Sequence, residues 1–334
     1  MLFAMLPSSP AHLLKQAKTP AFLVSDLVNL RYLTGLTLSA GFLLVTPRRA
    51  FLFVDSRYTD MAHRRARNVT VKDIGELPAA LKALPVCGFE SESVTVSRFL
   101  NWKKKFPSTK FVRTTGVIAA FRRQKSEEEL RLMRRARRLT QELLRRVPAV
   151  LRRSTTEEKL ARQLLIWALE LGADGLSFEP IVAFGNHTSS PHHRPTNRLL
   201  QKGHIVQIDV GVLYKGYCGD LSEVYFTAPP TAEQKKIYET LVRSQQKAIR
   251  AVKAGVTTHT LDKIARGVLA EQGMEKYFTH ALGHGVGLDV HEGVTLSQRA
   301  PAQKLLPGEV ITIEPGVYLP GKFGMRVEEM VIVP

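Results

Sequence analysis

The stretch Val206-Gln-Ile-Asp-Val-Gly-Val-Leu-Tyr-Lys-Gly-Tyr-Cys-Gly-Asp220 decides how the chain is read. Taken as a β-hairpin turning at Tyr214-Lys215, it sets 213 opposite 216, 211 opposite 218 and Asp209 opposite Asp220. The two carboxylates then share one face, with Cβ atoms roughly 5 Å apart. Acids that close repel each other and do not both stay ionised without a cation or a shared proton. The C-terminus repeats the pattern. In Ile311-Thr-Ile-Glu-Pro-Gly-Val-Tyr-Leu-Pro-Gly-Lys-Phe-Gly-Met-Arg-Val-Glu328, a Pro-Gly turn centred on Gly321 sets Glu314 opposite Glu328. Exposed cross-strand pairs avoid like charges, so two such pairs point to a shared cation site rather than to four unrelated surface acids.

Between the hairpins lies His280-Ala-Leu-Gly-His284-Gly-Val-Gly-Leu-Asp-Val-His291-Glu. Glycines on both sides of His284 leave room for a ligand, and with four acids available His284 becomes the nitrogen ligand. Four carboxylates and an imidazole suit two divalent ions, Mn²⁺ first, with Co²⁺, Fe²⁺ or Zn²⁺ as further choices. Two ions about 3.5–4 Å apart can hold a bridging hydroxide as nucleophile.

Working outward, residues 20–120 read as a small α/β unit. Short apolar runs at 21–24, 41–45 and 50–54 are strands, and 56–67 and 77–84 are short helices. Ser126 with Glu129 three residues on is a helix start and marks a domain boundary. Helices are expected at 126–146, 156–172, 231–253 and 258–272, with Gly255 and Gly273 at helix ends. Strands are expected at 178–184, 204–212, 216–227, 309–319 and 324–333. The organisation is therefore 1–122 followed by 123–334.

The 334 residues carry a net charge of +18, which would allow contact with nucleic acid or anionic membrane. Much of the excess sits in 121–153, where arginines occupy the solvent faces of a helix whose apolar face holds Leu132, Ala136, Leu139 and Leu143. No aromatic residues interleave them, which argues against a nucleic-acid surface. No apolar run is long enough to span a bilayer, and the start, MLFAMLPSSPAH, lacks the features of a signal peptide. Cys87 and Cys218 form no disulfide framework, consistent with a reducing, cytoplasmic setting. Zincin, dinucleotide-binding, Walker A and nucleophile-elbow patterns are absent.

Asp209 and Asp220, Gly-His284-Gly-Val-Gly, His291-Glu, Ile-Glu314-Pro-Gly and Arg326-Val-Glu328 together resemble the pita-bread metallopeptidases. Ser190-Pro-His192-His-Arg-Pro-Thr and Arg122-Arg-Gln-Lys-Ser-Glu-Glu-Glu are similar to motifs of its proline-specific branch, aminopeptidase P and prolidase. The resemblance covers nearly the whole chain. It implies an α/β fold: a creatinase-like N-terminal domain, then a pita-bread catalytic domain.

By this resemblance Asp209 would bind one metal and Asp220 would bridge both. His284 and Glu314 would hold the other metal, and Glu328 would also bridge. Glu314 would serve as the base that takes a proton from the bridging water. His192, His280 and His291 would orient substrate and stabilise the tetrahedral intermediate, with Arg326 beside the last ligand. His187 and His193 read as loop residues.

The expected substrate is a peptide with proline in second position. Aminopeptidase is placed ahead of dipeptidase, and a homodimer is implied. A metal-free creatinase-like amidinohydrolase would not need all five ligands, and a non-catalytic binding module would have lost some.

The chain departs from the family pattern at three places. Ser222-Glu223-Val224 replaces Thr-Arg-Thr, Glu329 replaces a shorter acid, and His204 replaces an aspartate. Glu223 is expected to reverse a charge near the site. The chain stops soon after the last ligand strand, so a final segment is expected to be missing.

Overall fold

The computed structural model describes residues 10–66, 68–152 and 154–334. Most of the N-terminal stretch read as lacking a leader, together with Arg67 and Arg153, lies outside them. The chain divides into two compact units, Met1–Arg122 and Arg123–Pro334.

The first unit is a six-stranded mixed sheet. Its strands are β1 Phe22–Val24, β2 Phe42–Val45, β3 Ala50–Val54, β4 Thr70–Asp73, β5 Val86–Glu90 and β6 Lys110–Thr114, in the order β4-β3-β2-β1-β5-β6. Helices α1 Pro10–Ala17, α2 Leu27–Thr34, α3 Ser56–Arg65, α4 Leu77–Lys82, α5 Val96–Lys105 and α6 Val117–Arg123 accompany it. The central strands are continuous apolar runs because both faces are covered. Leu43 and Val45 join one core and Leu44 the other.

Among the described residues, the second unit carries four long helices and four small antiparallel sheets. The helices are α7 Glu127–Arg146, α8 Glu157–Glu170, α9 Ala232–Arg250 and α10 Thr258–Ala270. Ser126 and Glu129 close a full capping box on α7, and Leu132, Ala136, Leu139 and Leu143 are buried as the periodicity demands. Each buried leucine contributes on the order of 2 kcal/mol. The arginines of the opposite faces are in part paired, Arg131 with Glu128 and Arg137 with Glu329. No helix among the described residues is long and apolar enough to cross a membrane.

The sheets are β11-β10-β7, β12-β9-β8, β14-β13-β15-β18 and β16-β17. Their strands are β7 Gly175–Leu176, β8 Ile181–Phe184, β9 Ile205–Val210, β10 Val212–Tyr214, β11 Tyr217–Cys218, β12 Leu221–Phe226, β13 Gly283–Gly285, β14 Glu292–Leu296, β15 Val310–Ile313, β16 Gly316–Leu319, β17 Phe323–Arg326 and β18 Glu329–Ile332.

The second hairpin has the expected register. Gly316 pairs with Arg326 and Ile313 with Glu329, which sets Glu314 level with Glu328. The first hairpin is displaced by two residues. Tyr214 pairs with Tyr217 and Leu213 with Cys218, so Asp209 faces Ser222 rather than Asp220. The cause is the turn. Lys215 and Gly216 both have positive φ, 48° and 78°, so they are the central pair of a tight two-residue hairpin loop. A shift of two preserves the face, and Asp220 stays on the side of Asp209. Where the ladder breaks, a Cβ on Gly211 would stand 1.8 Å from the Gly219 carbonyl oxygen, so no side chain fits there.

Candidate active site

A cleft of ≈ 650 Å³ in the second unit is lined by Asp209, Asp220, His284, Glu314, Glu328, Arg326, His280, His291 and His192. Four ligand candidates come from the two hairpins and the fifth, His284, from β13. His284 is held close to β15: its N–H donates to Thr312 Oγ1 at 3.1 Å. A Cβ on neighbouring Gly283 would lie 2.0 Å from the Thr312 carbonyl oxygen, which is why glycine precedes the histidine.

The acids converge on His284. Its Nε2 lies 3.5 Å from Glu314 Oε1 and 3.6 Å from Asp220 Oδ2, and one ligand atom each from Asp220, His284 and Glu328 falls within 4.8 Å of the others. Burial, then Asp209 and Glu314, hold the Asp220 carboxyl well above the usual carboxylate range. Burial pushes Glu314 up to about 8, with Arg326 opposing. Glu328 is raised by burial and by Asp220. Burial, helped by His291, lowers His284 to about 4. A bound divalent cation would favour the ionised form of each of these carboxyls and the neutral imidazole alike. Asp209 gives the same indication, since its buried Oδ1 has no hydrogen-bond partner. The donor set therefore fits a pair of divalent cations.

Arg326 organises the side of the cleft. It donates from Nη2 to Asp209 Oδ2 at 2.5 Å, from Nε to Ser222 Oγ at 3.0 Å and from Nη1 to Tyr318 Oη at 2.6 Å. Ser222 in turn donates to Glu328 Oε2 at 2.9 Å, so the serine in place of threonine keeps a working hydroxyl. Tyr318 Oη lies 2.9 Å from His280 Nε2, and His280 Nδ1 lies 2.8 Å from the Ala281 carbonyl. The carbonyl must receive a proton from Nδ1, so Nε2 accepts from the tyrosine. His280 is thus neutral, with both nitrogens engaged inside the protein. Burial, then Arg326, lowers it to about 3. Tyr318 was not singled out in the sequence; its position four residues after Glu314, on an inward strand face, was the available signal.

The His291 ring centroid lies 4.1 Å from that of His284, the two planes tilted by 55°, and His192 is exposed at the cleft. His187 and His193 are not free loop residues, because both touch Glu157 at 2.9 Å. Glu223 does not reverse a charge at the site. It alternates with Ser222, points away from the cleft and accepts from Tyr225 Oη at 2.6 Å. Glu329 binds Arg137 through both oxygens, at 2.7 and 2.8 Å. Cys218 is buried opposite Leu213, and burial pushes its thiol up to about 12, which removes it as a nucleophile.

Residues 131–334 match the model of metallopeptidase family M24, and residues 11–124 match the creatinase/prolidase N-terminal domain. An Xaa-Pro dipeptidase of Pyrococcus horikoshii is 33% identical over 317 residues, covering 94% of this chain and 90% of that one. Among solved structures, an Xaa-Pro dipeptidase from Bacillus anthracis superposes with a TM-score of 0.93 at 28% identity, covering 98% of this chain and 95% of the other. An X-Pro aminopeptidase from Thermotoga maritima superposes with a TM-score of 0.88 at 30% identity, covering 96% and 95%. The fold is thus a creatinase-type N-terminal domain followed by a pita-bread catalytic domain, and the chain belongs to metallopeptidase family M24.

Proposed function

We propose that this hydrolase cleaves Xaa-Pro peptide bonds and that it is a dipeptidase of the prolidase type. The observation that carries the reading is the orphaned Asp209 oxygen beside three carboxyls driven toward neutrality in one cleft. The dipeptidase preference rests on the relatives: those named for this activity outnumber the aminopeptidase among the close matches. The sequence motifs taken alone place aminopeptidase first. It stays as the second reading because the Thermotoga enzyme shares the fold at 30% identity.

Asp209, Asp220, His284, Glu314 and Glu328 would hold the two ions, Mn²⁺ by preference for hard oxygen donors. The ions would supply an activated water and charge stabilisation at neutral pH. Glu314 would serve as the base that accepts a proton from the attacking water. Arg326 holds the Asp209 carboxylate and Ser222 holds that of Glu328, which would fix both as ligands. His291 and His192 face the peptide, one donating to the carbonyl oxygen as charge grows there and one protonating the departing proline nitrogen. His280 acts through Tyr318 on Arg326 rather than on the peptide. A homodimer in the cytosol completes the proposal. The test is hydrolysis of Xaa-Pro dipeptides against Xaa-Pro-Yaa tripeptides with added Mn²⁺. Faster dipeptide turnover supports the first reading, release of the N-terminal residue from tripeptides the second, and no hydrolysis of either removes both.

A further inference from the structure

The segment 185–196, which brings His192 to the cleft, is fastened to the start of α8 by one carboxylate. Glu157 follows the N-cap Thr156, and its side chain is 0% exposed. Its Oε1 accepts the Phe184 N–H at 2.8 Å, and its Oε2 accepts the N–H and hydroxyl of Thr196 at 3.0 and 2.7 Å. Two imidazoles complete the arrangement. His187 Nδ1 lies 2.9 Å from Oε1 and His193 Nε2 lies 2.9 Å from Oε2, with ring centroids 4.4 Å apart.

Burial disfavours the Glu157 anion, but the bonds from His193, Thr196, Phe184 and His187 outweigh it and hold the carboxyl below its usual range. A buried anion needs positive charge close by. Among the described residues, the ion-pair partners of Glu157 are the two histidines. The nearby Arg198 is turned to Asn186 Oδ1, 2.5 Å away.

We propose that Glu157, His187 and His193 form a mononuclear site for Zn²⁺ or a similar borderline ion, separate from the two-ion cleft. One ligand atom from each residue lies within 4.8 Å of the other two. Ligands about 2.1 Å from a tetrahedral ion stand roughly 3.4 Å apart; each imidazole nitrogen lies 2.9 Å from its own Glu157 oxygen, within reach of that spacing. Phe184 and Thr196 fix the carboxylate, as outer partners of a metal ligand do. His187 is 31% exposed and His193 13%, which leaves a side open for a water as fourth ligand. Binding requires a lone pair from each ring, so the ring protons move to Nε2 of His187 and Nδ1 of His193. Two imidazoles select Zn²⁺, whereas the four carboxylates of the cleft suit Mn²⁺. The ion would clip residue 157 to residue 193 and so steady His192.

The experiment uses the full chain, stripped with chelator, loaded with Mn²⁺ and then Zn²⁺, dialysed and analysed for metal. His187→Ala and His193→Ala are each expected to hold one ion fewer per chain than the wild type and to lose the rise in Tm that Zn²⁺ produces. Because the readout is a difference, it stands whether or not the cleft fills. Equal metal content in wild type and variants overturns the proposal and leaves a hydrogen-bonded clasp only. Zinc-edge absorption spectroscopy on the wild type does not depend on variant folding. Two imidazoles around the zinc support the site. In a sample shown by metal analysis to hold one zinc per chain, one or none overturns it, since the cleft offers only His284 among its proposed ligands.

Discussion

Arg326 and Asp209, 117 residues apart, form a buried ion pair at 2.5 Å that uses one carboxylate oxygen and leaves the other without a partner. The arginine does more than neutralise. Its remaining nitrogens hold Ser222 and Tyr318, so one side chain links both hairpins of the cleft. A second cationic group on the free oxygen completes the pattern, and five consequences can be measured.

Metal removal should make stability depend on pH in a definite direction. In the cation-free fold Glu314 keeps its proton up to about 8, against an ordinary value of 4.5, and Asp220 and Glu328 shift the same way. Below about 6.5 the lowered His280 and His284 act in the opposite sense, so the window that reports the acids is pH 6.5 to 8: there the folded protein binds more protons than the unfolded chain, and stability falls as pH rises toward 8. Thermal unfolding of chelator-treated protein should show this decline, and Mn²⁺ should restore both stability and activity. A flat or rising profile for the metal-free protein contradicts the assignment.

Glu314 and Glu328 should separate kinetically. Glu314→Gln removes the base and is expected to cut kcat by orders of magnitude while some metal remains bound. Glu328→Ala should chiefly empty the site, seen as lost metal in elemental analysis. Wild-type rates for both at saturating Mn²⁺ would refute the roles given them.

His291→Ala should keep metal and fold and lose kcat and kcat/KM together, on the order of 10²-fold, as expected for a donor used mainly in the transition state. Steady-state kinetics with metal analysis checks it; near-normal kcat, or loss of an ion, places His291 elsewhere.

Tyr318→Phe leaves Arg326 Nη1 and His280 Nε2 without their shared hydroxyl. Unsatisfied buried groups of this kind cost about 1–3 kcal/mol, so Tm should fall. If the hydroxyl aligns Arg326 with Asp209, kcat/KM should fall about tenfold at unchanged metal content. A variant that loses stability but no activity would limit Tyr318 to a structural part.

Glu223→Arg, which restores the family's usual residue, should change kcat/KM by no more than about twofold, because the side chain points away from the cleft. A larger change would mean that the charge is felt at the metal pair.

Much of the site was legible because its residues come from a few short segments. The 314–328 hairpin has a turn that one can centre on Gly321, and its register followed directly. The faces of the 206–220 hairpin were also legible, since alternation survives a shift of two. Its register was not: it depended on Lys215 and Gly216 both adopting positive φ, and moving the turn by one residue moves every partner by two. The family motifs placed the remaining candidates by order along the chain.

What only the tertiary structure decided is which polar atoms meet across the fold. By itself the sequence determined the hairpins, the helix starts and which residues are candidates to bind metal, because alternation, capping and turn chemistry act over a few residues. The Arg326–Ser222–Glu328 chain, the Tyr318–His280 bond and the Glu157 clasp join residues 27 to 106 positions apart. Such bonds form because a buried polar group must find a partner among whatever the packed core brings within 3 Å, and local patterns carry no record of those neighbours.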